Sequence, residues 1–255
     1  MPHLSYKKIE KFISEDVIKP FYQNRFDRLQ KLNLKDIVRR KNPYLFKAKN
    51  ITTANEFVKQ VLDAFLSSRE ETVFGDLLEN LSIYICGQVY KGKKAEQGKF
   101  PSIDLIFFYK NRCHIVGIKS GPHWGNSDQI NRMKRNFKKA KRLLKREGIK
   151  ERILAINGCM YGKDRKPYKK NTRDRELSYY KYCGQEFWYL ISGEKELYKD
   201  IIKPLNKQIK RRDERFKILY GQKINQLTEQ FLKLFCNRGI INWDKIIEFV
   251  SKRIH

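Results

Sequence analysis

Asp104 sits inside "SIDLIFF", an acid embedded in an otherwise apolar run, and Lys119 closes the next apolar run, "HIVGIK". Taking a carboxylate out of water costs on the order of several kcal/mol unless a cation or hydrogen bonds compensate. The intervening "KNRC" (residues 110–113) suits a short hairpin turn. Counting outward from that turn, an antiparallel register sets Asp104 and Lys119 near each other at the far end of the hairpin. Plain structural explanations stand beside this pairing. A strand-end aspartate can bond backbone N–H groups, and a lysine one step past an apolar run usually reaches solvent. A third acid comes from "ETVFGDLLE", where Glu71, Gly75 and Glu79 recur at four-residue steps and share one helical stripe. A glycine in mid-helix costs about 1 kcal/mol relative to alanine, so Gly75 points to close approach by another backbone. Glu71 reads equally well as part of a solvated acidic face. Glu79 directly follows two leucines and can turn toward the sheet edge.

Other site chemistries are poorly supplied. Cys86, Cys113, Cys159, Cys183 and Cys236 lie far apart with no CxxC. That argues against a zinc ribbon or a disulfide framework and suits reduced thiols in a cytoplasmic protein. His3, His114, His123 and His255 form no HExxH or HxxxH pair, so any metal must be held by carboxylates. The chain carries 56 Lys plus Arg against 28 Asp plus Glu, a formal charge of +28. Self-repulsion of that size points to a polyanionic partner, nucleic acid first. No long apolar run, lipidation signal or signal peptide supports a membrane.

The elements that must position these groups are legible in outline. Residues 4–41 read as helical, with a break at Pro43. A long helix fits residues 52–81, capped by Thr52 or Thr53 and interrupted near Ser67. Strands are expected at 82–90, 102–109, 114–120 and 151–159, with a basic loop at 91–99 and a basic helix from Ser127 to Arg146. Residues 161–182 read as a basic, tyrosine-rich loop, and the chain from Phe187 on as helical, broken around Pro204, Gly221 and Gly239. The central order is helix, three strands, helix, strand, which implies an α/β (α+β) fold with a central mixed sheet flanked by helices. One domain over 1–255 is expected, with a helical flank at 1–50, a core at 51–160 and a basic loop and helical flank at 161–255.

Asp104 of "PSIDL", Lys119 of "GIKSG" and the preceding helix with Glu79, in this element order, resemble the PD-(D/E)xK nuclease superfamily, specifically type II restriction endonucleases. "GDLLENL" is also similar to the mismatch-repair nickases of that superfamily, and "IKSGPHWGNSDQ" to a loop of one restriction-enzyme group. The likeness spans about residues 55–160. It implies Mg²⁺-dependent phosphodiester hydrolysis, with Glu79, Asp104 and Lys119 as catalytic residues. Asp104, Glu79 and the Ile118 carbonyl are the implied metal ligands, Glu71 an alternative. Mg²⁺ prefers a few carboxylate oxygens plus retained waters, and Lys119 would orient the attacking water and stabilise developing charge. The sequence departs from the pattern at Gly117, where the family's second acid belongs. Glu79, Glu71 or Asp128 could replace it.

The loop after Lys119 must then lie against DNA. Ser120, His123, Asn126, Ser127 and Gln129 are candidate contacts, as are Arg132, Lys134, Arg135 and Lys138 of the basic helix. Trp124 either stacks or anchors the loop. "KDRKPYKKNTRDR" is a candidate arm that orders on DNA. The expected activity is a sequence-specific double-stranded DNA endonuclease acting as a homodimer, with a cognate DNA methyltransferase in the same cell. Alternatives are a repair or junction nuclease of the same fold, or a non-catalytic nucleic-acid-binding protein.

Overall fold

The computed structural model describes residues 4–163, 168–170 and 174–253. In chain order it holds α1 (Tyr6–Phe12), a π-helical stretch (Ile13–Ile18), α2 (Lys19–Lys31), α3 (Leu34–Arg39), α4 (Pro43–Ala48) and α5 (Ala54–Tyr90). Then come β1 (Lys93–Lys94), β2 (Leu105–Tyr109), β3 (Arg112–Lys119), α6 (Ser127–Arg146), β4 (Arg152–Cys159) and β5 (Tyr168–Lys170). After a 3-10 turn (Arg175–Leu177) follow β6 (Tyr179–Cys183), α7 (Gln185–Ser192), α8 (Leu197–Asp200), α9 (Ile202–Phe235), β7 (Cys236–Asn237), β8 (Ile240–Ile241) and α10 (Trp243–Ser251). Two compact units result. One comprises Met1–Val17 with Gly75–Lys207, the other Ile18–Phe74 with Gln208–His255.

The first unit is a mixed α/β layer, as the order of its elements implied. Its six strands run in the order β1-β2-β3-β4-β6-β5. The β2–β3 pair is antiparallel, and β4 and β6 add in parallel. Lys110 and Asn111, at φ 48° and 56°, form the two-residue turn between Tyr109 and Arg112. Two positive φ values in succession match the twist of a tight hairpin. Helix α6 spans the predicted residues because Met133, Phe137, Ala140 and Leu144 recur on one face and bury against Ile103, Cys113, Ile115 and Ala155. The structure corrects residues 82–90, which are the end of α5 rather than a strand. Leu81, Ile85 and Val89, with Ser82 and Cys86 beside them, are the buried positions. That is a helical stripe, and extending an existing helix needs no new nucleus. A second correction is β6, which lies in the expected loop and pairs with β4 from Ile156↔Tyr180 to Cys159↔Cys183.

The second unit is helical around Leu29, Ile37, Phe46, Phe57, Leu62, Phe216, Phe231 and Ile246. Pro43 starts α4 under an Asn42 cap, as proline's fixed φ allows at a first helical position. Thr53 caps α5, its Oγ1 accepting from Glu56 N–H at 3.2 Å, and the helix passes Ser67 unbroken. Helix α9 likewise runs through Gly221, and Pro204 lies in its first turn, where no helical donor is lost. Only Gly239, at φ 81°, breaks the chain as read, in the β7–β8 turn. Among the described residues no helix is long and apolar enough to cross a membrane.

Candidate active site

The Tyr109–Arg112 turn fixes the register Leu105↔Val116, which brings the start of β2 to the end of β3. Asp104 is buried there, its N–H donating to Val116 O at 2.8 Å. Its Oδ2 accepts from Ile118 N–H at 2.6 Å and lies 3.7 Å from Lys119 Nζ. The backbone-bonding and cation-pairing explanations of this acid therefore both hold. Its second oxygen is held as well, since Gln97 Nε2 donates to Asp104 Oδ1 at 3.2 Å and to Ile103 O at 2.7 Å.

Glu79 reaches the same place from α5. It is half-buried, and burial together with the negative charge of Asp104 pushes its pKa up to about 7, against the opposing pull of Lys94 and Lys119. Lys94 Nζ lies 3.9 Å from Glu79 Oε1. One turn earlier, a Cβ added to Gly75 would fall 2.9 Å from Ser120 Oγ, so the glycine admits the segment that leaves β3. The approaching group is a side chain, where the sequence suggested a backbone. Glu71 is exposed and belongs to the other unit.

Gly117 has a steric cause. A Cβ there would meet Ser102 O at 2.7 Å. Ser102 holds a left-handed φ of 65°, and its Oγ accepts from Asn136 Nδ2 at 2.7 Å. Placing an acid at 117 would require that turn to move. Among the described residues no group of three or more His, Cys, Asp or Glu is placed to hold a metal. The site offers the Asp104 and Glu79 carboxylates instead. Asp128 is exposed in the first turn of α6.

The following loop is built to end at a helix. Asn126 Oδ1 accepts from Gln129 N–H and Gln129 Oε1 from Asn126 N–H, both at 3.0 Å, a reciprocal cap of α6. Those two oxygens thus serve the helix start rather than a base. Trp124 packs against the sheet–α6 core, and Lys119 Nζ lies 5.4 Å from its ring centre, so the ring both anchors the loop and faces the lysine. Ser120, His123, Asn126, Ser127, Gln129, Arg132 and Arg135 are exposed. Lys134 is half-buried and donates to Asn131 Oδ1 at 3.3 Å. Lys138 pairs with Asp174 at 2.6 Å and Glu176 at 3.1 Å, so its charge is already met within the chain. Most of the expected basic arm, residues 164–167 and 171–173, lies outside the described residues.

Sequence reasoning missed Lys94 and Gln97. Both belong to the basic loop 91–99, and a two-residue edge strand is too short to show a period. The usable clue was a glutamine and lysines close before a strand that begins with a buried acid.

A family model described as type II restriction endonuclease EcoO109I matches residues 7–213, well over half of the chain. No curated protein matches it.

Proposed function

The chain belongs to the type II restriction endonuclease EcoO109I family, and we propose that it is a sequence-specific, Mg²⁺-dependent double-stranded DNA endonuclease whose cleavage centre is the sheet end. Family membership supports the DNA-cleaving hydrolase. The observation that carries the assignment to these residues is the meeting of Asp104, Glu79 and Lys119, from three separate elements, at one end of one sheet.

The donor set fits Mg²⁺, which takes one or two carboxylates and keeps several waters. Burial first, and the negative charge of Asp104 second, raise the pKa of Glu79, and a divalent cation between the two carboxylates would offset both. Asp104, Glu79 and the Ile118 carbonyl would hold it, with Glu79 in place of the acid excluded at Gly117. Bound there, Mg²⁺ would act as Lewis acid on the scissile phosphate and lower the pKa of its water. Asp104 is held by Ile118 N–H and Gln97, so it meets its ligand without reorganising. Lys119, beside Asp104 and under Trp124, is a fixed positive charge that orients the attacking water and stabilises the developing anion. The exposed loop and the start of α6, from Ser120 to Arg135, provide the DNA face. Cleaving both strands calls for two such sites, hence a homodimer on a palindrome. A cognate methyltransferase in the same cytoplasm completes the reading.

Incubating the protein with phage DNA and Mg²⁺, then resolving the products by electrophoresis, tests this. Discrete bands that vanish with EDTA are expected. A smear contradicts sequence specificity, and uncut DNA contradicts the nuclease reading.

A further inference from the structure

The carboxylate pair of the sheet end is bracketed by two lysines, and the proposed mechanism uses one. Lys119 stands 3.7 Å from Asp104, and Lys94 stands 3.9 Å from Glu79. Lys94 comes from the edge strand β1, where its partner is Leu105, next to Asp104. Ala95 N–H donates to Asp104 O at 3.0 Å, which fixes this segment against the acid itself. Lys94 Nζ also donates to Asn80 Oδ1 at 3.3 Å, one residue beyond Glu79. The ammonium is therefore aimed at the α5 side of the site, where it is paired with Glu79 while Lys119 is paired with Asp104.

Edge strands often carry lysine simply to discourage pairing with other chains. Lys93 meets that description, because neighbouring strand residues point to opposite faces and Lys94 is the one that reaches Glu79. An exposed ion pair by itself contributes little to stability. Lys94, with 55% of its side chain exposed against 27% for Lys119, stands at the rim of the site. In phosphoryl transfer the charge spreads over several phosphate oxygens, and groups on more than one side are needed to meet it. A Glu79 engaged with a divalent cation holds its lysine less strongly, which leaves that ammonium for a phosphate oxygen.

We infer that Lys94 is a second active-site lysine, contacting the scissile phosphodiester from the Glu79 side of the site. This rests on the nuclease reading given above. The test compares wild type with Lys94→Met, Lys94→Arg and Lys93→Met. Single-turnover cleavage is measured on a plasmid that carries a mapped site. Duplex affinity is measured across a salt series with Ca²⁺ in place of Mg²⁺, so that a divalent cation with a preference for oxygen ligands engages Glu79. Lys94→Met is expected to lose cleavage by roughly 30-fold, below the roughly 100- to 1,000-fold of a fully enclosed charge-stabilising donor because Lys94 stands at the rim. Its log–log salt slope should fall by about 0.9, the signature of one lost phosphate contact. Lys94→Arg should recover both to within about fivefold and 0.3 respectively, since the charge and reach are kept. Lys93→Met should match wild type. Equal behaviour of Lys94→Met and Lys93→Met in both measurements overturns the inference. If wild type cuts no DNA, the nuclease reading fails, and the salt slope alone still decides Lys94.

Discussion

Lys119 at the sheet end and Lys138 on the outer face of α6 have side chains exposed to the same extent, 27%, and each is paired with acid. They differ in the partner. Asp104 is 10% exposed and has its two oxygens fixed by Ile118 and Gln97, whereas Asp174 and Glu176 are 40% and 45% exposed. Hydrogen bonds to Asp174 and Glu176 raise the pKa of Lys138, and those from Lys138 and Arg142 lower the acids' own. Such a pair is satisfied in water as well as on the protein. A lysine beside a buried carboxylate marks a place where the fold has gathered charge that water does not screen. For a chain of net charge +28, counting basic residues does not set these two lysines apart. The burial of their partners does.

That contrast can be broken by substitution. Lys119→Met should cost about 1,000-fold in single-turnover cleavage, the upper range for removing one charge-stabilising donor, while Lys138→Met stays within about twofold. Comparable losses at the two positions would erase the distinction. Glu79→Gln should cost about 100-fold and shift the Mg²⁺ titration to higher concentration, as expected for a carboxylate replaced among few ligands. An unshifted titration removes Glu79 from the metal site. Gln97→Ala should cost roughly tenfold, because it leaves Asp104 one hydrogen bond short of its fixed orientation. The loss should fall on the cleavage step, with duplex affinity in EDTA unchanged. Smallest in effect is a stability comparison. Gly117→Ala should lower unfolding stability by about 1–3 kcal/mol, since the new Cβ meets the Ser102 carbonyl. Glu176→Gln, outside that packing, should leave the urea midpoint in place.

The sheet end was the more legible of the two regions because its geometry follows from local rules. The turn expected over residues 110–113 is tightened to Lys110–Asn111, which shifts the register by two residues, and the hairpin still brings Asp104 within 3.7 Å of Lys119 with no information from elsewhere in the chain. Helix α6 was readable for a similar reason, as its apolar period is local, whereas its Asn126–Gln129 cap, equally local, was read only as two DNA contacts. What escaped depends on partners distant in sequence. Residues 82–90 form an apolar, β-branched run that suits a strand, and the 54–81 helix ahead of them decides otherwise. Strand β6 lies among tyrosines and lysines and becomes a strand by pairing with β4. Lys94 enters the site on an edge strand that exists because β2 is beside it, and Gln97 in the turn that follows. The Asp174–Glu176 pairing with Lys138 is also non-local, and for that reason Lys138 read in the same way as Arg132, Lys134 and Arg135.

If the sheet end is where DNA is cut, Asp104→Asn is the substitution that must abolish cutting. The substitution keeps the shape of the side chain and removes its charge. Wild type and variant should be compared with Mg²⁺ on one DNA under single-turnover conditions, with duplex affinity measured in EDTA. The account predicts cleavage lowered by about 1,000-fold or more, as for loss of a principal charge at a reacting centre, with affinity within about threefold of wild type. An Asp104→Asn protein that cuts the same sites at the wild-type rate would contradict it.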